Sequence, residues 1–441
     1  GIFAQSVGGG GGLFGGRLLL GFIGSMEGVG EGGRVTVIQN GDVLVAGKNA
    51  IGAVFQSASK DGDQDITATM NGAVKGGSVY GMGVLIDGGL NNTLTLNGLT
   101  WADSDLAITA TGGNDTVIAN KGLIGNVDLG LGTNRLTNTA NSFFLSLDYV
   151  RLNGGDLVNQ GLLTPGDAGT VQRTAVTGNF IQSATGEMLT DLDLLRTGKS
   201  GEIDQLALTG SIDIRGEFTL NILNPGYALP GDHTVTILDG SGTLTQSGVV
   251  LNKPTSAVAS FGLVATSEDL NLSYAIDFSP TGLNGNQTAL GNHINAIQLA
   301  GSSPTFAPIT AELFYVPTVT DLANIYDSFS PQTYGAQQAA QIFAGQQFAD
   351  SMFSCQRPGA GVRFSESGCV WVKPAARRLE LSATSSAMAF DEQSTGLSGG
   401  FEAGLGGSGW RIGGAVSGEV VDGGVRSRTS ADGERFQFGF V

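Results

Sequence analysis

The chain is poor in charge, and poorest in positive charge. Asp, Glu, Lys and Arg supply 14% of its 441 residues, against roughly 25% in soluble domains. The 22 Lys and Arg are outnumbered by 39 Asp and Glu, for a net charge of −17. A field of that sign repels phosphate backbones and argues against a nucleic-acid partner. Two histidines, His233 and His293, leave little for imidazole catalysis. Two cysteines without finger-like spacing argue against zinc. No apolar run near the start reaches the roughly 18 residues of a membrane helix; the longest there is Leu18–Ile23. No leader pattern follows Gly1, and Val441 falls within an alternating pattern. The chain therefore reads as a fragment, truncated at both ends.

Glycine is what the chain has in excess: 72 residues, more than twice the roughly 7% average. It follows no every-third-residue period, so collagen is excluded. A hydrophobic fraction of 41% is too high for disorder. This composition describes repetitive β-structure better than a compact enzyme.

The first two hundred residues repeat loosely. Gly1-Ile2-Phe3-Ala4-Gln5-Ser6 returns as Gly52-Ala53-Val54-Phe55-Gln56-Ser57. Ile66-Thr67-Ala68-Thr69 returns as Ile108-Thr109-Ala110-Thr111, and Asn120–Ile124 as Asn159–Leu163. A period near 20 residues, made of β-branched strands and Gly/Asn turns, predicts one coil of a parallel β-helix per repeat. From about 175 to 279 the alternation is cleaner. Leu206, Leu208, Ile212 and Ile214 share one parity, then Phe218, Leu220 and Ile222. Leu270, Leu272, Tyr274, Ile276 and Phe278 form a further period-2 series. These half-buried strands predict the end cap that a solenoid requires.

Residues 280–310 are punctuated by Pro, Ser, Asn and Gly and predict a boundary. Beyond it lie two predicted helices. Val319, Leu322, Tyr326 and Phe329 form one apolar stripe, with Asp321 near its start. Ala336, Ala340, Ala344, Phe348 and Met352 form an i+4 ladder on the second, flanked by Gln337, Gln338, Gln341, Gln346 and Gln347. Such a helix suits a narrow hydrated channel; an ordinary surface helix is the other reading. Three alternating segments follow. Leu397, Phe401, Ala403 and Leu405 alternate with Ser398, Gly400 and Glu402. Trp410, Ile412, Val416 and Val420 alternate with Arg411, Ser417 and Glu419. Phe436, Phe438 and Phe440 alternate with Arg435, Gln437 and Gly439. Strands with one apolar and one polar or Gly face, ending in aromatics, fit a transmembrane β-barrel, although a β-sandwich alternates too.

The order of these parts resembles the autotransporters, the type V secretion proteins of Gram-negative bacteria. Gly1–Val7 running into glycines 8–12 resembles their passenger repeats, as do Gly112–Val117 followed by Gly125–Gly130. Leu163–Asp167 leading to Gly178–Ser183 does so again. Asp204-Gln205-Leu206 with Thr209-Gly210-Ser211 resembles the stretch that assists passenger folding in many members. The resemblance covers essentially the whole chain and rests on the order of the motifs rather than on any single one.

It implies a mostly β protein: a right-handed parallel β-helix passenger, a short helical linker, and the first strands of an outer-membrane barrel. The implied domains are passenger repeats over 1–174, a cap or autochaperone-like region over 175–279, a linker with the pore helix over 280–355, and incomplete barrel strands over 356–441. The family's barrel has twelve strands, of which the chain supplies about four, so by itself it should not insert. Some relatives cut the passenger free at paired asparagines. The one such pair, Asn91-Asn92, lies in the passenger, so no cleavage site is assigned. The resemblance also implies an oxidising periplasm, where Cys355 and Cys369 would form a structural disulfide worth roughly 3 kcal/mol; the alternative is two reduced thiols.

Other motifs have bland readings. Gly396-Leu397-Ser398-Gly399-Gly400 fits a nucleophile elbow, but it lies in a strand without an acid–His set. Gly28, Gly30 and Gly33 fit G-x-G-x-x-G with no helix following. Asp61, Asp63 and Asp65 alternate as calcium ligands do, but the EF-hand glycine and glutamate positions hold Ile66 and Gly72. Gly113-Asn114-Asp115 lacks the full calcium nonapeptide pattern. Each reads best as turn or strand chemistry.

The expected function is self-export and surface display, for adhesion or another surface interaction, with no enzymatic activity, catalytic residue, metal or cofactor. Expected partners are the outer membrane, the barrel-assembly machinery, periplasmic chaperones and a host-cell or matrix surface. The barrel is expected in the outer membrane, the passenger at the cell surface or secreted. One alternative is a polysaccharide-active passenger using Asp103/Asp105 and Asp191/Asp193; another is a soluble secreted β-protein.

Overall fold

Short β-branched segments between Gly and Asn turns stack, in the computed structural model, as successive three-sided coils. The structure describes residues 1–8, 30–329, 332–356, 362–365, 368–384, 388–406, 410–425 and 429–441. Leu18–Ile23 and Gly28 lie outside them. Coil one holds β1 (Ile2–Val7), β2 (Val35–Gln39) and β3 (Val43–Leu44). Coil two holds β4 (Ile51–Ala58), β5 (Ile66–Met70) and β6 (Val74–Gly76). Then come β7 (Met82–Gly88), β8 (Asn91–Leu96) and β9 (Leu99–Ala102), followed by β10 (Leu106–Ala110), β11 (Asn114–Ala119) and β12 (Gly122–Ile124). Coil five is β13 (Asn126–Asp128), β14 (Arg135–Asn138) and β15 (Phe143–Ser146). In the next coils longer strands turn a corner: β16 (Tyr149–Asn159) with β17 (Leu162–Pro165), β18 (Arg173–Gln182) with β19 (Glu187–Asp193), and β20 (Gln205–Leu208) with β21 (Ile212–Leu223).

Every strand pairs in parallel with its counterpart one coil on, β1 with β4, β2 with β5 and β3 with β6. The Gly1–Ser6 repeat is a true one-coil repeat, since Phe3 pairs with Val54 and Gln5 with Gln56. The Ile66–Thr69 repeat is not. Ile66 lies on the second face, paired with Val35, whereas Ile108 lies on the first, paired with Val84. The third repeat spans two coils but slips by one residue, because Leu123 stacks on Phe144 and Phe144 on Leu163. The period is uneven: Val54 to Leu85, Leu85 to Thr109, and Thr109 to Asp128 are steps of 31, 24 and 19 residues. Backbone pairing fixes which strands align, while corner loops vary in length without disturbing it.

The parallel ladder ends in β22 (Gly231–Asp239) and β23 (Leu244–Asn252). There β22 also pairs antiparallel with β25 (Leu270–Ile276), and β25 with β24 (Ala259–Ala265). Leu270, Leu272, Tyr274, Ile276 and Phe278 are all buried.

Four α-helices are present among the described residues: α1 (Gly285–Leu299), α2 (Ala307–Phe314), α3 (Val319–Ser328) and α4 (Gln332–Met352). The first two replace the irregular boundary expected over 280–310. In α1, glycines at both its start and middle and many amides hide the helical period; Gly291 lies where an added Cβ would meet the Phe278 carbonyl oxygen at 2.3 Å. Pro308 starts α2, where its missing N–H is harmless. Two compact units result, Gly1–Asp277 with Asn295–Pro317, and Phe278–Ile294 with Thr318–Val441.

Side-chain ladders run along the solenoid. Asn71 donates to Asn40 at 2.8 Å, Asn97 to Asn71 at 2.7 Å and Asn120 to Asn97 at 2.8 Å. Inside, Asn138 donates to Asn159 at 2.8 Å, and Asn159 to Gln182 at 3.0 Å. An amide both donates and accepts, so it extends such a stack indefinitely. Asp115 interrupts one. Fully buried, it takes the Asn92 amide on one oxygen at 2.8 Å, while its other oxygen has no partner among the described residues. Burial pushes its carboxyl up to about 6 against the pull of the Asn92 hydrogen bond. Asp204 is pushed further, to about 8, by burial, although the Asp191 and Gln172 N–H groups favour its charged form.

Both folded values lie above the ordinary 3.8. Each group therefore contributes stability that is full below that value and lost as pH rises through the folded one. Thermal unfolding of the solenoid is expected to be most favourable to the fold in acid, its midpoint falling from pH 4 to pH 9. Both groups contribute to the loss between pH 4 and 6, and Asp204 alone from pH 6 to 8. Asp115→Asn is expected to remove the Asp115 share, up to about 3 kcal/mol, making the fall between pH 4 and 6 shallower and leaving the Asp204 part. A slope between pH 4 and 6 equal to that of the wild type in that variant would refute the assignment.

Candidate functional site

The alternating segments after the last helix form an antiparallel meander. Its strands are β26 (Val362–Ser365), β27 (Gly368–Leu381), β28 (Phe390–Gly404), β29 (Arg411–Val425) and β30 (Thr429–Phe440), paired in sequence order. Cross-strand register sorts one face into rows. Val370, Phe401, Gly414 and Phe440 form one; Val372, Gly399, Val416 and Phe438 the next; Pro374, Leu397, Gly418 and Phe436 a third. A fourth row, Ala376, Thr395, Val420 and Glu434, grades into a polar fifth of Arg378, Gln393, Asp422 and Asp432. With a row of Gly368, Ala403 and Ile412 ahead of the first, the apolar rows extend about 20 Å along the strands at roughly 3.4 Å per residue. They are uncovered: Phe436, Phe438 and Phe440 are 75%, 79% and 82% exposed.

The opposite face carries Arg377, Glu392, Glu402, Glu419 and Arg435, and it is the covered one. Helix α4 lies on it through its small-residue ladder, with Ala340, Ala344 and Phe348 buried. Phe348 and Met352 pack with Trp371, Ala415 and the Cys355–Cys369 disulfide, while Ala336 and Ala340 pack with Phe390, Leu379 and Val425. The disulfide joins the turn after α4 to the start of β27, with its Cα atoms 5.8 Å apart. Glycines make room for the packing. A Cβ on Gly439 would lie 2.4 Å from the Met352 sulfur, and one on Gly400 2.8 Å from the Trp371 ring.

Beside the helix, one charged residue per strand joins a network. Glu392 pairs with Arg377 and, at 2.9 Å, with Arg435; Arg435 reaches Glu419 at 3.2 Å. Arg377 also donates to the Ala340 carbonyl oxygen of α4 at 2.8 Å, and Lys373 to the Ser354 hydroxyl at 3.0 Å. Arg411 pairs with the buried Glu402 at 3.1 Å. A polar cleft of about 510 Å³, lined by Gln337, Gln341, Glu392, Asp432, Arg435 and Gln437 among others, opens along this face. The alternation at 402, 411, 419 and 435 signals a polar face, but partners such as Arg377 with Glu392 follow only from the strand register.

The other motif residues are engaged elsewhere. Ser398 is buried within β28, on the α4 side of the sheet. His233 contacts the Leu229 carbonyl at 2.9 Å and packs against Tyr274. Asp61 and Asp63 accept the N–H groups of Gly30 and Ser59 at 2.6 and 2.7 Å, and Asp65 that of Asn91 at 3.2 Å. Asp103 pairs with Lys75 at 2.8 Å, and Asp105 holds a left-handed turn. Asp191, buried, accepts from Gly169 N–H and the Asn221 amide, both at 2.6 Å; Asp193 accepts from Asn224 at 2.7 Å. Asn92 is buried in its ladder. Among the described residues, no three His, Cys, Asp or Glu converge as a metal site, and no helix is long and apolar enough to cross a membrane. No protein-family model matches the chain, and no curated protein matches it.

Glu392 offers a direct test of the buried network. Glu392→Gln leaves Arg377 and Arg435 short of an anion and is expected to lower stability by about 3 kcal/mol. Arg378→Ala, which breaks an exposed 3.8 Å pair with Glu380, is expected to change it by less than about 0.5 kcal/mol. Chemical unfolding of the full chain in detergent micelles measures both; equal effects would show that the network is not the anchor.

Proposed function

We propose that this chain belongs to a self-exporting outer-membrane protein of the autotransporter type. In this reading the solenoid is the displayed passenger. The antiparallel sheet is part of a translocator barrel wall, and α4 is the segment that occupies its pore. The displayed solenoid serves adhesion or another surface interaction. Barrel assembly and periplasmic chaperones would be partners during biogenesis.

One observation carries the reading: the sheet turns its apolar rows to the outside and the network of Arg377, Glu392, Glu419 and Arg435 toward a helix rich in Gln and Ala. In water, a half-covered sheet does the reverse, burying the apolar face and solvating the polar one. In a bilayer, apolar-out and polar-in is the stable arrangement, with free backbone edges paired by further strands. The roughly 20 Å apolar band approaches the roughly 25 Å height of such barrels. The change from parallel coils to an antiparallel cap, and then to this sheet, follows the passenger-to-translocator order.

Val416, in the middle apolar row and 64% exposed, separates this reading from a soluble one. On a soluble protein, Val416→Arg at an exposed site stays within about 0.5 kcal/mol of neutral. Facing lipid near the midplane, it costs about 2–4 kcal/mol. Produced in its full coding frame in a Gram-negative host, the variant is expected to lose outer-membrane assembly. A tag near Lys60 is expected to become inaccessible to protease on intact cells, while the wild-type tag is cut. Normal yield of soluble, folded Val416→Arg protein would overturn the proposal.

A further inference from the structure

An Asn-Gly pair is the peptide unit in which an asparagine amide is most easily lost. The glycine nitrogen attacks the asparagine Cγ, and the bond from Cγ to the amide nitrogen breaks. That nitrogen leaves as ammonia with the proton shed by the attacking N–H. Water then opens the cyclic imide at either carbonyl and leaves aspartate or isoaspartate. Glycine, having no β-carbon, lets its nitrogen approach. The ring closes only where the amide is free and the Asn–Gly peptide can turn, so the fold decides which pairs react. The chain holds five such pairs: Asn40-Gly41, Asn71-Gly72, Asn97-Gly98, Asn153-Gly154 and Asn284-Gly285.

Three of these pairs are locked. Asn71 donates to Asn40 at 2.8 Å and accepts from Asn97 at 2.7 Å, and Asn97 accepts from Asn120 at 2.8 Å, so both amides are held at both ends. The attacking N–H of Gly72 is itself engaged, donating to the Gln39 side chain at 3.2 Å. An added Cβ on Gly72 would meet the Gly41 carbonyl oxygen at 2.3 Å, and one on Gly98 the Gly72 oxygen at 2.1 Å, so both peptides lie pressed against the coil before. Asn284 precedes α1, and its side-chain oxygen accepts the N–H groups of Asn286 and Gln287, both at 3.0 Å. Asn40 is half-held: its oxygen accepts from Asn71, while its amide nitrogen has no partner among the described residues and Gly41 is open.

Asn153-Gly154 has neither a ladder nor a stacked coil to hold it. It lies in residues 152–155, which the pairing of β16 with the coils on both sides skips. Both residues are exposed, and nothing lies within 4 Å of an added Cβ on Gly154. The φ of Asn153 is 51°, a left-handed conformation that is costly for a residue with a β-carbon. Two surface hydrogen bonds tether the pair, from the Asn153 amide to the Gly132 carbonyl at 3.1 Å and from Asn179 to the Gly154 carbonyl at 3.4 Å. We propose that Asn153 is the site at which the folded solenoid deamidates. Conversion removes the tether to Gly132, because a carboxylate cannot donate, and adds one negative charge. The extra backbone methylene of isoaspartate falls in a stretch that neither adjoining coil pairs, so the coils keep their register. The site lies within the solenoid and is independent of the membrane reading.

The test is peptide mapping by mass spectrometry of the full chain, stored in warm, mildly alkaline buffer with non-ionic detergent micelles. Each conversion adds one mass unit, and chromatography separates the isoaspartyl from the aspartyl peptide. In the folded wild type, Asn153 is expected to convert at least about tenfold faster than Asn71, Asn97 or Asn284. In denaturant, where the fold no longer discriminates, the four are expected to convert at similar rates. Asn153→Gln is expected to remove the main acidic species that the stored wild type develops on isoelectric focusing. Unchanged circular dichroism shows that this variant is folded. Equal rates at Asn153 and Asn71 in the folded chain overturn the proposal. So does an intact Asn153 in folded chain stored for as long as converts it in denaturant.

Discussion

A β-strand has two edges, and each edge is a row of hydrogen-bonding groups that must find partners. In the solenoid, each coil pairs with the one before and the one after, so no coil completes its bonding alone. That obligation requires the change of grammar after β21. There β22 takes antiparallel β25 as a partner, and β24 extends the pairing from the other side. Reversing direction lets local hairpin-like connections close what further parallel coils would only postpone. The buried series from Leu270 to Phe278 gives this cap its own apolar support.

Backbone pairing alone leaves register ambiguous, because a parallel ladder slipped along the strand forms as many bonds. Side chains remove the ambiguity in two ways. Apolar residues stack inside, and a slip by one residue would turn them out to water. Amides stack on amides, and each donor in the Asn138–Asn159–Gln182 ladder meets the next acceptor only in one register. Asp115 shows the tension in this device. Placed between Asn92 and Asn134, it accepts the Asn92 amide and has its own N–H bonded to Asn134 at 2.9 Å. A carboxylate cannot donate onward, so the stack stops there and one oxygen is left without a partner. The register is kept, and the proton affinity of the group rises.

Parity and punctuation in the sequence reveal much of this. The buried sets at Leu206–Ile214 and Leu270–Phe278, the apolar rows ending at Phe436, Phe438 and Phe440, and the small-residue side of α4 can all be read from alternation or four-residue spacing. The resemblance of Gly1–Ser6 to Gly52–Ser57 locates one true coil. Identity misleads at Ile66–Thr69 and Ile108–Thr111, because any outward strand of any face favours the same β-branched residues. Helices α1 and α2 escape because glycines, amides and a proline blur the period that would announce them. The charge network escapes for another reason. Arg377, Glu392, Glu419 and Arg435 lie on four different strands, and only the register of β27 to β30 brings them together.

That network and the helix covering it are one solution to one problem. Charged groups taken from water lose several kcal/mol each unless paired and hydrogen-bonded. Here the pairing is distributed: Glu392 serves two guanidiniums, Arg435 serves two carboxylates, and Arg377 uses its remaining reach on a helix carbonyl. A bulky apolar helix would displace these contacts, and a charged helix would compete for them. A helix of Ala and Gln does neither. Alanines allow α4 to lie close at Ala340 and Ala344, and Gln337 and Gln341 border the cleft with groups that donate and accept without adding charge. The same composition that makes α4 a poor amphipathic helix in water thus makes it a suitable filling for a polar concavity. Its i+4 alanine ladder is best understood with the arginines opposite it.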